Sequence, residues 1–342
     1  MTTAFIRTAP LPTGYTARPV TLDDVQMVCD FLNVMSQFTL GRDAFTPTDI
    51  RIEWTSGSII LETSTQLIFD STGALVAYME IWMIPINRSF IWSQVHPQHE
   101  KLGIGTYLLE YAEETVRQSL ATSPTSGEVV IMAAHQNEIT AAADLFTHYG
   151  MTPTRWFYRM GVVLTEPPAP AVFSQGISVR SYQHPQDLRA TVRAKLDAFA
   201  DHWGFVEPNF ETEMEEWANE IENDPLFNAD LWLLAIDETT QEIAGVVLNR
   251  NPAYDDAEAG FIAVLAVRRA YRRHGLGSAL LQLSMQKLFE VGKRKMVLNV
   301  DAHNPTGALG IYQKAGMEVL YTRTLYEKVI QRAIEEMVIN KE

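Results

Sequence analysis

One cysteine, Cys29, stands in a chain of 342 residues, so no internal disulfide can staple the fold and stability must come from buried apolar surface. Cys29 lies in "DDVQMVCDFLNVM", where apolar residues recur at helical spacing, and it reads as a small core residue rather than a nucleophile. Positive charge is also scarce. Lys and Arg number 27 against 42 Asp and Glu, a net charge of -15 that disfavours DNA or a phospholipid surface as partner and suits a cationic small molecule. No apolar run approaches the roughly eighteen residues of a membrane span. The N-terminal stretch "MTTAFIRTAPLPTGYTARPV" has one Arg before its first proline and no apolar signal-peptide core. The expectation is a cytoplasmic protein with neither nucleic acid nor membrane as partner, a monomer and a homodimer both being open.

What is present is a repeat. "VHPQHEKLGIGTYLLEYAEETV" (Val95 to Val116) and "VRRAYRRHGLGSALLQLSMQKL" (Val267 to Leu288) share a strand end, a polar loop, Gly-x-Gly and a helix with one apolar face. Further on, "NEITAAADLFTHYGM" and "NPTGALGIYQKAGME" each read as a short helix stopped by Gly then Met. The copies are offset by 172 residues at the first glycines and 166 at the later ones, and the difference falls in "ATSPTSGE" (Ala121 to Glu128), a loop of the first copy. Between the copies, "TEPPAPAVFSQG" carries three prolines and supports neither helix nor central strand. The spacing therefore predicts a domain at 1–164, a linker at 165–176 and a domain at 177–342, each an α/β fold with a mixed sheet and helices on its faces. Ile330, Ile334 and Val338 at four-residue spacing predict a terminal helix.

A strand that ends in a glycine turn and opens a helix presents backbone N–H groups at the positive end of the helix dipole, a ready anion site. Alone, Gly275-Leu276-Gly277 is an ordinary turn. Here it follows an apolar strand, has Arg272 three residues before its first Gly, recurs in a second copy, and is followed by Asn304 and Tyr312. These residues resemble the GNAT superfamily of acyl-CoA N-acyltransferases, whose signature is Arg/Gln-x-x-Gly-x-Gly/Ala after a strand. Arg272-Arg273-His274-Gly275-Leu276-Gly277 fits it, and Asn304, Ala308, Tyr312 and Gly316 follow the second signature, with Met317 where Phe is commoner. The resemblance covers both halves and looks most like the tandem-GNAT proteins that include mycothiol synthase.

The resemblance implies acetyl-CoA as co-substrate and no metal. Its pyrophosphate would meet the backbone of Arg272, Arg273, His274, Gly275, Leu276, Gly277 and Ser278, with the two arginines adding charge, Asn304 nearby, and Leu265, Ala266 and Val267 hydrogen-bonding the pantetheine arm. Tyr312 would protonate the departing thiolate, or else be a packed helix residue. The base is open: "GFIAVLAV" has no carboxylate where many members carry one, leaving Glu258 just before the strand, ordered water, or an amine that arrives neutral. The acceptor side would include Asp201, His202 and Trp203, an acid, a titratable ring and a large aromatic before Gly204, which could instead be a packed helix end. From Glu207 to Asp224 there are eight acidic residues and no Lys or Arg.

The first copy departs from the signature. It reads Glu100-Lys101-Leu102-Gly103-Ile104-Gly105, has Phe146 at the Tyr position, and sets Asn137 one residue out of step with Asn304. A degenerate first domain is expected, with chemistry in the second. An N-acetyltransferase for a small, cationic primary amine is the leading expectation. Acetylation of a cysteinyl-aminosugar, a protein acetyltransferase and a non-catalytic acyl-CoA sensor are the alternatives.

Overall fold

A computed structural model describes residues 10–55, 59–83, 86–137, 139–304 and 306–333. In chain order the first repeat forms β1 (Thr16–Arg18), α1 (Val25–Leu40), α2 (Pro47–Thr55), α3 (Leu61–Ser64), β2 (Thr65–Phe69), β3 (Leu75–Trp82), β4 (Arg88–Val95), α4 (Ile104–Thr122), β5 (Val129–Gln136), α5 (Thr140–His148) and β6 (Thr152–Val163). The second forms β7 (Ile177–Ser181), α6 (Leu188–Phe199), α7 (Phe210–Asn223), β8 (Trp232–Asp237), β9 (Ile243–Arg250), β10 (Ala259–Val267), α8 (Leu276–Glu290), β11 (Lys295–Asp301), α9 (Ala308–Lys314) and β12 (Glu318–Gln331). Ile330 is thus in a strand, not the helix that its spacing suggested, and Ile334 and Val338 lie outside the described residues.

The chain packs as two compact units, residues 1–155 with 323–342, and residues 156–322. In the first unit, Arg323–Gln331 of β12 pairs antiparallel with β5. In the second, Phe157–Val163 of β6 pairs antiparallel with β11. Each repeat's last strand therefore completes the sheet built by the other repeat, and the packing boundary falls at 155/156 rather than in the proline-rich stretch. That stretch lies along α8: the Ala169 carbonyl accepts from Gln282 and Gln286 at 2.8 Å each.

Both sheets are mixed, with one parallel pair in each, β4 with β5 and β10 with β11. In the second unit, strand alternation sorts the apolar residues onto two faces. Leu233, Ala235, Val247 and Ile262 pack with Leu276, Leu280, Leu281, Met285 and Leu288 of α8. Leu234, Ile236, Val246, Leu248 and Ala266 pack with Leu188, Val192 and Leu196 of α6. A sheet buried on both faces needs continuous apolar strands, which is why "LWLLAID" and "IAGVVLN" lack polar alternation. Cys29 is buried in α1, its thiol directed to the Phe45 carbonyl at 3.4 Å.

Candidate functional site

The parallel pairing of β10 with β11 covers Ala259–Phe261 against Lys295–Val297. Beyond it the strands follow different partners. β10 continues along β9 through Val267↔Gly245, while Leu298–Asp301 of β11 pair with Phe157–Met160 of β6. The register to β9 shifts by one residue between Ile262 and Val264, a bulge at Ala263 that bends the strand. The Arg268 amide donates to the Ala244 carbonyl on β9. Strand alternation then turns the backbone of Ala266 and Val264 toward β9 and that of Leu265 and Val267 toward the opening beside β11. Consistently, the Val267 carbonyl accepts from Arg272 Nε at 3.0 Å.

After Val267 the chain makes one tight turn, Arg269–Tyr271, and enters α8. Arg273 (φ 66°) and Gly275 (φ 80°) both take the left-handed conformation, which folds the turn so that successive amides face outward. From Arg273 to Ser278 no backbone N–H finds an acceptor among the described residues. These amides sit at the positive end of a 15-residue helix, the arrangement that holds a pyrophosphate. Arg273, His274 and Ser278 are exposed at its rim, whereas the Leu276 side chain is core and only its amide is available.

Arg272 has other work than neutralising phosphate. It donates to both Asp201 oxygens at 2.6 and 3.1 Å, to the Ala198 carbonyl at 2.8 Å and to Val267. Arg269 adds a contact to Asp201 at 3.3 Å. The Arg272 guanidinium holds the Asp201 carboxyl below the usual carboxylate range. The pair clamps the bend after α6 onto the end of β10, so Asp201 and Arg272 form one structural unit. His202 is half-buried in that bend with its ring 4.3 Å from Phe199, and burial pushes its imidazole below the ordinary value. Trp203 is 36% exposed.

Tyr312, on α9, is buried among Met317, Leu280 and neighbours, and burial pushes its phenol up to about 12. The Asn304 carboxamide oxygen accepts from the Thr306 amide at 2.8 Å and hydroxyl at 2.5 Å, shaping the loop before α9. Glu258 is exposed at the opposite end of β10, seven residues before Leu265. At about 3.3 Å per residue that is roughly 23 Å along the strand from Leu265. Inside the strand, Phe261 has the Arg159 guanidinium 5.0 Å from its ring centre. Arg159 pairs with Asp255 and donates to Asn299 at 3.3 Å. It sits on β6, in the other repeat, so no local sequence signal pointed to it.

The first copy keeps the turn, and β4 and β5 also part beyond Ile91 and Ala133, but without a bulge. Lys101 (φ 59°) and Gly103 (φ 93°) repeat the left-handed pair, but β3 and β4 stay in unbroken register from Ala77↔Val95 to Trp82↔Phe90. Phe146 is buried, and Asn137 accepts from Thr324 at 2.6 Å. Its sheet face carries a buried polar chain instead: the Trp54 indole donates to the Tyr78 hydroxyl at 2.9 Å, which donates to Glu80 at 2.6 Å. Burial, with Glu53 nearby, pushes Glu80 up to about 8.

A parted strand pair beside an anion-binding turn defines an acyl-CoA-dependent acyltransferase fold. A family profile described as the acetyltransferase (GNAT) family matches residues 30–126 and 196–317, and the chain belongs to that family. Acetyl-CoA is accordingly its acyl donor. A mycothiol acetyltransferase of Thermobispora bispora is 29% identical over 242 residues, spanning 67% of this chain and 74% of its own length. The solved structure of a GCN5-related N-acetyltransferase from Sphaerobacter thermophilus matches with a TM-score of 0.79 at 26% identity, over 95% of this chain and 98% of that one. A tandem GNAT protein from the clavulanic acid biosynthesis pathway shares the fold, with a TM-score of 0.69 at 14% identity over 93% and 99% of the two chains. No helix among the described residues is long and apolar enough to cross a membrane.

Proposed function

We propose that this chain transfers the acetyl group of acetyl-CoA to the primary amine of a small molecule at the β10/β11 opening of the second unit. The parting of the strands beyond Phe261, beside the Ala263 bulge, carries this reading, because it exposes strand backbone next to amides that find no acceptor among the described residues. When bound, acetyl-CoA supplies an activated thioester. The Arg273–Ser278 amides hold its pyrophosphate, and the open edge at Leu265 and Val267 hydrogen-bonds its pantetheine arm. The Leu265 N–H polarises the thioester carbonyl as charge develops on oxygen.

We assign Tyr312, on α9, to the leaving group because its position in the second signature matches that of the family. Burial pushes its phenol up to about 12, so the hydroxyl keeps its proton at pH 7 and is available as a donor. Tyr312 therefore serves as a hydrogen-bond donor to the departing sulfur, worth about 1.5–3 kcal/mol, with solvent supplying the proton.

A cysteinyl-aminosugar is the finer acceptor reading, supported by the mycothiol acetyltransferase of T. bispora. The acidic α7 favours a cationic acceptor in general, with Glu211, Glu213, Glu215, Glu216, Glu220 and Glu222 along its length. The first unit has the turn but no bulge, and its role is structural or weakly CoA-binding. Thiol release from acetyl-CoA, followed against cysteinyl-glucosamine, glucosamine, polyamines and a lysine peptide, tests this. Release with an amine and recovery of its amide supports it. Acetyl-CoA binding without release on any amine points to a sensor, and release with the peptide alone points to a protein substrate.

A further inference from the structure

We infer that His202 accepts the proton lost by the attacking amine, a role that rests on the transferase reading above. The strand that borders the opening offers no base: Ala259–Val267 is apolar throughout, and Glu258 is at its far end. The His202 bend is held against the end of β10. Arg272 joins the end of β10 to the end of α6 through Val267, Ala198 and Asp201, and the His202 amide donates to the Phe199 carbonyl at 2.8 Å.

The charged groups that act on the ring are Asp201 in its own bend, Arg272 from the turn after β10, and Asp301 at the end of β11. The ring lies against Phe199 in the bend that Asp201 and the Ala198 carbonyl tie through Arg272 to the end of β10, on the face that carries α6. No hydrogen bond ties either ring nitrogen to a described residue. A half-buried imidazole held below its ordinary pKa is neutral at pH 7, the form that accepts a proton. Arg272 and Asp201 are positioning residues in this scheme, acting through the bend.

The step balances without a further reactant. The amine nitrogen forms a bond to the acetyl carbon, the carbon–sulfur bond breaks, and its electron pair leaves as CoA thiolate hydrogen-bonded by Tyr312. The surplus N–H proton passes to a His202 ring nitrogen, and the imidazolium returns it to solvent, from which the thiolate is protonated.

The test uses the full chain with acetyl-CoA and the best amine of the panel above, comparing His202→Gln, His202→Ala and Asp201→Asn. The inference expects His202→Gln to lower kcat by about 10²-fold or more, leave the Kd for acetyl-CoA within about twofold, and remove from the acid side of the kcat/KM profile the enzyme's ionisation, leaving that of the free amine. Added imidazole should restore part of the His202→Ala rate, and Asp201→Asn should retain the enzyme's ionisation while losing rate. A wild-type rate in His202→Gln, an acid side identical to that of wild type, or equal loss of rate and melting temperature in both His202 variants without imidazole rescue would overturn it. If wild type itself acetylates no amine, the transferase reading fails first.

Discussion

At the scale of single residues, the two arginines of "YRRHGLG" have different tasks although they are neighbours. Arg273 is exposed in a left-handed conformation at the rim of the turn, while Arg272 is spent on Asp201 and two carbonyls. The sequence could show the charge of Arg272 but not its partner 71 residues away. Tyr312 was legible as a candidate from its place in the second signature, while its burial among Met317 and Leu280 was not, and the role proposed for it is that of hydrogen-bond donor. Tyr312→Phe should lower kcat by about 10- to 10²-fold, the worth of one hydrogen bond to a charged group, with acetyl-CoA affinity unchanged. Steady-state kinetics with calorimetry checks it, and an unchanged kcat assigns Tyr312 to packing. Glu80 gives a pH-dependent prediction. Its folded pKa of about 8 is raised above an unfolded value near 4.3, so the stability it confers is complete below about pH 4.3 and is lost as pH rises toward 8. Melting temperatures across that window should fall for wild type relative to Glu80→Gln, and parallel curves would show that Glu80 ionises normally.

At the scale of elements, the glycine turns and their helices were legible because glycine in a left-handed cap and a one-sided apolar helix are local signals. The bulge was not. "GFIAVLAV" reads as an unbroken apolar strand, and only its register against β9 reveals the extra residue at Ala263. Val264 and Ala266 pack toward α6, while Ile262 and Leu265 pack toward α8. Deleting Ala263 would therefore keep each side chain on its face and straighten β10, as β4 already is in the first unit. The deletion should fold with a near-native circular dichroism spectrum and lose at least about 10²-fold in turnover. Native turnover in the deletion would remove the bulge from the account.

At the scale of the whole molecule, the repeat told where the copies lie along the chain but not how they are shared out between units. Strand pairing is non-local, and nothing in "TPTRWFYRMGVV" or "EVLYTRTLYEKVIQ" says which sheet each completes. Residues 1–164 and 177–342, produced as separate chains, would each lack the strand that finishes its sheet. Each alone should aggregate or expose unpaired edge, and the two refolded together should form a one-to-one complex by size exclusion. Two stable, independent monomers would contradict the exchange.

The central claim is that the opening in the second unit acetylates an amine. It is tested most directly by thiol release from acetyl-CoA with cysteinyl-glucosamine, measured side by side on wild type and the Ala263 deletion with mass-spectrometric identification of the product. The account predicts an N-acetylated product from wild type and little or none from the deletion. Equal product from both, or no product from wild type with any amine despite acetyl-CoA binding, would contradict it.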